Sequence, residues 1–300
     1  MRFYPHWAQG ERDGFRVWGW SDRSVDHARQ VAMQRAANAV AEYNAPYDEN
    51  RTERWDYYPI DRPLREAVID SWQDASTGQV VGAISRNHYG SLVLNSSRVM
   101  FVDIDPPAPK KPKKAGGFLS RLFGGGPPEP AQDAGNMTGG NSGSTSEGAD
   151  DPRLDGLRSA AVNAGLQVRV YRTPAGYRGL VMNRTFDPRH DTAHAVMNAS
   201  GADKLYVSLC HSQDCFRARL TAKPWRIGLT RPPRSFPFAN ELAEARFEAW
   251  LSEYEPAASA YAACAYLDTF GPLDAAPDPE ADRVMRTHDA LACGDGMPLA

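Results

Sequence analysis

The sequence is poor in cysteine and has no long apolar run. Its four cysteines, Cys210, Cys215, Cys264 and Cys293, are too few and too unevenly spaced in 300 residues for a disulfide framework, so reduced thiols are expected. No stretch approaches the roughly 20 apolar residues of a membrane span. The opening stretch also lacks the apolar core of a signal peptide. These absences predict a soluble, cytoplasmic protein without a transmembrane segment.

Several common enzyme signatures are missing as well. The sequence has no Gly-x-Ser-x-Gly nucleophile elbow, no phosphate-loop Gly-Lys-Ser/Thr pattern and no dinucleotide-binding fingerprint, which disfavours three large enzyme classes. Strong basicity is missing too, since the net charge is −3 and the isoelectric point about 6.2. Any contact with nucleic acid is therefore expected at a local basic cleft rather than over the whole surface.

The sequence does contain an apolar strand that ends in two carboxylates. Val, Met, Phe and Ile side chains lead into Asp103 and Asp105, and two prolines follow. Because side chains alternate along a strand, both carboxylates are expected on one face, roughly 7 Å apart. Two like charges at that distance are stabilised by a hard divalent cation such as Mg²⁺ or Mn²⁺. The alternative is that these carboxylates cap backbone N–H groups at the end of the strand.

The chain before the two aspartates predicts a mixture of strands and helices. Alternating apolar residues indicate strands, and apolar residues at helical spacing indicate helices. Strands are expected at 15–20, 55–58, 80–86 and 91–95, and helices at 25–43 and 64–72. The last two of these strands and the Asp103 strand follow one another closely, so a three-stranded meander is expected.

Residues 106–151 are rich in Pro, Gly, Ser, Lys and Asn and predict a long, flexible insertion with little to bury. Within it, a lysine-rich run at 110–114 precedes an apolar hexamer from Phe118 to Phe123. The hexamer is interpreted as a docking peptide for a protein partner, as a weak contact with an anionic membrane surface, or as a segment with neither role. These three interpretations stay open.

The remainder of the chain also mixes the two kinds of element. Helices are expected at 154–164, 190–199, 204–213, 240–254 and 279–291, and strands at 166–172, 177–182, 216–220 and 261–268. Because strands and helices do not alternate strictly, we predict an α+β fold, with a mainly antiparallel sheet, RRM-like or primase-like, flanked by helices. Residues 1–105 would form an N-terminal half that ends in the Asp103 strand, and 152–300 a C-terminal half of the same domain.

Basic side chains gather on two of the later predicted strand regions. Strict alternation at 216–220 places Arg217 and Arg219 on one face. Converging guanidinium groups are typical of a phosphate, nucleotide or nucleic-acid ligand, whereas pairing with surface Glu and Asp is the alternative. The candidate phosphate-binding residues are Arg172, Arg178, Arg217, Arg219, Lys223 and Arg226.

The order of these features resembles the archaeo-eukaryotic primase and primase-polymerase superfamily: an Asp-hydrophobic-Asp strand, then a hairpin, then a hydrophobic-Asp pair at Leu267-Asp268. The resemblance implies that Asp103 and Asp105 hold catalytic Mg²⁺ or Mn²⁺ and that Asp268 completes the carboxylate set. The implied activity is metal-dependent nucleotidyl or phosphoryl transfer on nucleotides or nucleic-acid ends. The chain departs from that pattern at Arg178, where the family carries a nucleotide-contacting histidine.

The longer sequence segments 85–95 and 215–226 resemble a widespread family of uncharacterised bacterial proteins. This resemblance implies no particular activity. Two alternatives to the enzyme therefore stay open. The same arginines could serve a non-catalytic nucleotide- or nucleic-acid-binding module, or the protein could recruit a partner through the Phe118–Phe123 peptide.

The cysteines and histidines offer a further possibility. Cys210, His211 and Cys215, joined by Cys264 or His288, would supply zinc donors, but their spacing fits zinc only loosely. Buried free thiols are the favoured interpretation, and zinc is not expected. His288 and the adjacent Asp289 are expected at the surface or at a helix cap.

Overall fold

The computed structural model describes residues 1–44, 63–106 and 150–300. These residues form two compact units, one made of residues 4–44 and the other of residues 1–3, 63–106 and 150–300. The strand expected at 55–58 and the docking peptide expected at Phe118–Phe123 lie outside the described residues. Nearly all of the predicted flexible insertion lies outside them too.

The smaller unit is a hairpin with one helix. Its elements are β1 (His6–Arg12), β2 (Phe15–Ser21) and α1 (Val25–Asn44), and the two strands are antiparallel. A glycine allows the helix backbone to approach β2 closely, since a Cβ on Gly19 would lie 2.2 Å from the Ala28 carbonyl oxygen and 2.3 Å from the Ala32 nitrogen. The predicted strand and helix are confirmed, whereas β1 was not expected because its sequence has no β-branched residue.

The larger unit contains two four-stranded antiparallel sheets, which confirms the predicted α+β class. The first sheet has the order β3-β4-β5-β9 and the second β10-β7-β8-β6. The strands are β3 (Ala67–Gln73), β4 (Val80–Arg86), β5 (Leu92–Ser96), β6 (Phe101–Ile104), β7 (Val168–Arg172), β8 (Tyr177–Val181), β9 (Phe216–Arg219) and β10 (Ala265–Phe270).

Five helices of the larger unit lie where the sequence predicts them, within a few residues. They are α2 (Asp155–Ala164), α3 (Asp191–Ala199), α4 (Lys204–Gln213), α5 (Glu241–Ala258) and α6 (Pro279–Ala292). Local signals set their ends: Asn240 and Asp278 accept hydrogen bonds from the first turns of α5 and α6, and Gly165 ends α2 with a left-handed φ of 61°.

Two predictions about the first sheet are wrong. The helix expected at 64–72 is largely strand β3, which pairs with β4 and buries Trp72 against Gly82. The expected meander also fails, because β6 leaves the first sheet and pairs with β8 of the second. Edge pairing with β4 outweighs the helical propensity of this segment, and the turn after β5 redirects the chain.

The register of the second sheet determines what its two faces carry. Asp103, Arg178 and Tyr171 are direct neighbours across β6, β8 and β7, so their side chains share one face. Helix α6 covers this face, with the His288 ring centroid 4.7 Å from that of Tyr171. On the other face, Gly179 lies against Leu157 of α2.

Among the described helices, none has the length and apolar character that crossing a membrane requires.

Candidate functional site

Arg178 is the centre of a buried polar group at one edge of the second sheet. Only 5% of its side chain is exposed, and its Nε atom, which has no hydrogen-bond partner, lies 4.0 Å from Oδ1 of Asp103. Its Nη1 atom donates to the Arg219 carbonyl oxygen at 3.0 Å and to His288 Nε2 at 3.0 Å. Arg178 therefore links β6, β9 and α6.

Two further arginines bring positive charge to the same place. Arg219 Nη1 donates to the backbone oxygens of Thr221 and Ala300, at 2.8 and 3.1 Å, rather than to a carboxylate. The pKa of Arg219 is lowered, first by its burial and then by the neighbouring charges of Arg178 and Arg226. Asp103 acts in the opposite direction without cancelling these effects. We call Asp103, Arg178, Arg219 and Arg226 the Arg178 cluster.

An aromatic side chain with basic neighbours follows Arg219 along the chain. The Lys223 Nζ atom lies 5.7 Å, and the Arg231 Cζ atom 5.0 Å, from the Trp225 ring centroid. Tyr89 meets the same ring edge-on, with centroids 5.3 Å apart. This combination of indole and cations is one that can hold a planar, negatively charged ligand.

Arg217 belongs to a different arrangement from Arg219. Its Nη2 atom donates to both carboxylate oxygens of Glu66, and its Nη1 atom donates to Gln213. The ion pair is mostly shielded from solvent, with exposed side-chain fractions of 16% for Arg217 and 10% for Glu66. Arg217 is thus neutralised within the fold, although its partner is a mostly shielded glutamate and not the surface carboxylate of the alternative interpretation.

The remaining predicted residues do not meet at one place. Arg172 is exposed, and its register opposite Tyr177 puts it on the sheet face away from Arg178. Asp105 follows β6 and is exposed.

Asp268 is on β10, at the sheet edge opposite β6, so about 14 Å of sheet separates it from Asp103. Its Oδ1 atom accepts the N–H of Thr269 at 2.7 Å. The structure therefore does not bring Asp268 to Asp103.

A series of side-chain hydrogen bonds continues from Arg178 to residues of α6. Because a guanidinium can only donate, Nε2 of His288 must accept, which places the ring proton on Nδ1. Nδ1 then donates to Asp289 Oδ1 at 2.9 Å. Asp289 also accepts from Tyr171 Oη at 2.7 Å and from Arg169 Nη2 at 2.8 Å. His288 is fully buried, so its expected surface position is wrong, since α6 turns this residue toward the sheet.

Two cysteines complete this buried group. Cys264 Sγ lies 3.7 Å from His288 Nε2 and 3.7 Å from Cys293 Sγ. The pKa of Cys264 is lowered, chiefly because the Cys293 thiol donates a hydrogen bond to it. Cys210 and Cys215 are buried free thiols that do not join the group.

The sequence pattern instead groups Cys264 or His288 with Cys210, His211 and Cys215. The signal that would have separated them is the His-x4-Cys spacing at the end of α6, which places His288 and Cys293 near one another.

Compared with protein-family models, curated proteins and solved structures, the chain gives no match in any of the three.

Proposed function

We propose that the larger unit binds the phosphate groups of a nucleotide at the Arg178 cluster. The observation that carries the proposal is the arrangement of positive charge. Arg178 lies beside Asp103, Arg219 feels the repulsion of Arg178 and Arg226, and the Nη1 atom of Arg219 donates to two backbone oxygens. A bound anion would offset the repulsion by Arg178 and Arg226, which adds to the effect of burial in lowering the pKa of Arg219. It would also give the unpartnered Nε of Arg178 an acceptor.

The size and place of the cluster favour a small ligand over a nucleic-acid strand. Arg178 is buried and Arg219 and Arg226 are half-buried, so these side chains offer little exposed charge to a long polyanion. A net charge of −3 gives no extended basic surface for a polyanion. Trp225, with Lys223 and Arg231 beside it, supplies a flat surface on which a base could stack.

Metal-dependent nucleotidyl transfer, as in primase-polymerases, would be a further step at the same place. It would have to use Asp103 and Asp105 without Asp268, because a single ion cannot be shared by carboxylates on opposite sheet edges. Binding of the nucleotide does not depend on this step.

The test is isothermal titration calorimetry with ATP and with pyrophosphate at low ionic strength. We expect wild-type protein to bind both, and Arg226→Ala to weaken binding by at least about tenfold, since a charged hydrogen bond contributes roughly 1.5–3 kcal/mol. Arg219→Lys keeps the charge but loses the planar fork, so a smaller loss is expected. Tighter binding of ATP than of pyrophosphate would indicate base stacking.

The matched control is Arg172→Ala, which removes an exposed arginine from the opposite face of the same sheet. Its affinity for ATP should equal that of the wild type. Absence of heat with wild-type protein at millimolar ATP would end the proposal. An equal loss in Arg172→Ala and Arg226→Ala would mean that overall charge, not the cluster, holds the nucleotide.

A further inference from the structure

Cys264, His288 and Cys293 place three soft donor atoms around one point. All three donors lie within 4.8 Å of one another, and within the described residues they are the one group of three potential ligands found. They come from different elements, since Cys264 directly precedes β10, His288 is inside α6 and Cys293 is the C-cap of α6. The fold, rather than local sequence, assembles them.

Two of the three donor–donor separations match those of a tetrahedral centre, and the third is within 4.8 Å. Two sulfurs bound to zinc at the tetrahedral angle are about 3.8 Å apart, and a sulfur and a nitrogen about 3.6 Å. The corresponding distances here are 3.7 Å between the two Sγ atoms and 3.7 Å from Cys264 Sγ to His288 Nε2. A disulfide, by contrast, requires the sulfurs to approach to about 2.05 Å.

The surroundings of His288 match those of a metal-bound imidazole. Its Nε2 atom lies 3.7 Å from the Cys264 sulfur, and its Nδ1–H donates to Asp289 at 2.9 Å. Asp289 is held in turn by Tyr171 and Arg169. Ligating histidines usually donate their other ring N–H to a carboxylate or carbonyl group, which fixes the tautomer and orients the ring.

We propose that Cys264, His288 and Cys293 bind one thiophilic cation, Zn²⁺, with two thiolates and one imidazole nitrogen as protein ligands. Two thiolates balance the charge of the ion. The fourth position is left to a solvent molecule or a bound ligand, as in zinc sites with three protein ligands.

The one neighbour that competes with the cation is Arg178, whose Nη1 atom donates to the same Nε2 lone pair at 3.0 Å. This hydrogen bond can be given up, because the same Nη1 atom already donates to the Arg219 carbonyl oxygen at 3.0 Å. The guanidinium therefore has an alternative acceptor beside it when the cation takes the imidazole.

A cation bound at this site would cross-link α6 to the start of β10. Backbone hydrogen bonds already join Ala263 and Cys264 to the Ala292 oxygen, at 2.8 and 3.1 Å. A metal bridge would add a link between the start of β10 and both His288 and Cys293. Because the metal would bind the folded state selectively, it should raise the melting temperature.

The first experiment measures zinc directly in full-length protein purified under reducing conditions. We expect about one Zn²⁺ per chain by elemental analysis, and its loss in Cys293→Ser and His288→Gln. Cys215→Ser is the matched control, since it removes a buried thiol outside the group, and it should keep the metal. A wild-type chain that takes up no zinc after incubation with equimolar ZnCl₂ would overturn the proposal, as would full retention of zinc in folded Cys293→Ser.

A second measurement keeps the proposal testable if a variant fails to fold. Co²⁺ added to the unaltered wild-type protein should give the strong d–d absorption of a tetrahedral ion and a thiolate charge-transfer band, and Zn²⁺ should abolish both. Zn²⁺ should also raise the melting temperature of the wild type, and a chelator should reverse the rise. Octahedral Co²⁺ spectra, or a melting temperature indifferent to both zinc and chelator, would show that the three side chains form only hydrogen bonds.

Discussion

The Nη2 atom of Arg217 donates hydrogen bonds to both carboxylate oxygens of Glu66, at 2.5 and 2.6 Å. Glu66 also accepts a hydrogen bond from Ser85 at 2.5 Å, so the pair joins the segment before β3 to β4 and β9. One of the arginines that the sequence assigned to phosphate binding is thus part of the internal framework of the larger unit.

Removing one partner of this ion pair should destabilise the protein strongly. We expect Arg217→Ala to lower the free energy of unfolding by about 3–5 kcal/mol, because it leaves the buried Glu66 carboxylate without its counterion. Urea denaturation followed by circular dichroism measures the change. The matched control is Arg286→Ala, which removes an exposed arginine that pairs with Asp282 within α6 and should cost less than about 1 kcal/mol. Equal costs for the two variants would contradict a structural role of the Glu66 pair.

The two aspartates at the end of β6 predict a hard-cation site that can be tested without substrate. Calorimetric titration with Mn²⁺ should show binding by the wild type that is lost in Asp103→Asn/Asp105→Asn, because carboxylate oxygens are the preferred ligands of this ion. Asp268→Asn, at the opposite sheet edge, should leave Mn²⁺ affinity unchanged. Equally weak Mn²⁺ binding by the wild type and the double variant would mean that Asp103 and Asp105 do not form a site for Mg²⁺ or Mn²⁺.

Tyr171 orients Asp289 through a hydrogen bond from its buried hydroxyl group. Tyr171→Phe deletes this donor while keeping the ring against His288, so we expect a loss of about 1–2 kcal/mol in the free energy of unfolding. Tyr266→Phe removes an exposed hydroxyl that contacts Thr269 and should have almost no effect. Chemical denaturation measures the free energy of unfolding of both variants. Equal values would mean that the hydrogen bond from Tyr171 to Asp289 does not contribute to stability.

In the smaller unit, the close contact between α1 and β2 depends on a glycine. Gly19→Ala would place a methyl group against the backbone of Ala28 and Ala32, which we expect to cost at least about 1–3 kcal/mol. Gly14→Ala is the control: it has a φ of 82° but no atom within 4 Å of the new methyl group, so strain of roughly 1 kcal/mol is expected. The hydrogen-exchange rates of the α1 amides should rise much more in Gly19→Ala than in Gly14→Ala. Identical protection factors in both variants would refute the close-packing explanation.

Local patterns predicted most of the helices and strands correctly. Helix α2 was identifiable because its apolar stripe is followed by Gly165 in the left-handed conformation that ends the helix. Strand β9 was identifiable because Phe216 and Ala218 alternate with Arg217 and Arg219, and the structure buries the first pair and half-exposes the second. Both of these sequence signals depend only on residues that are close together in the chain.

The site depends on relationships between distant segments, which local patterns do not contain. Asp103 and Asp268 were both placed on strands, but nothing in their own segments fixes the order β10-β7-β8-β6 that separates them. Arg217 and Arg219 look alike in sequence, and only the position of Glu66 distinguishes the paired arginine from the unpaired one. The buried His288 was missed because its burial is determined by the sheet that α6 covers.

Residues that follow α6 return to the strand region before β10: Ala262 donates to the Pro298 oxygen, and Ala300 donates to the Ala262 oxygen, both at 3.0 Å. Together with Arg169–Asp289, these bonds hold the C-terminal segment at several points that do not involve the exposed turn at Asp274. Cutting the backbone at that turn should therefore leave two fragments that stay associated. The segment from Ala275 onward is a natural candidate for a split protein, in which a separately made peptide would restore the intact fold.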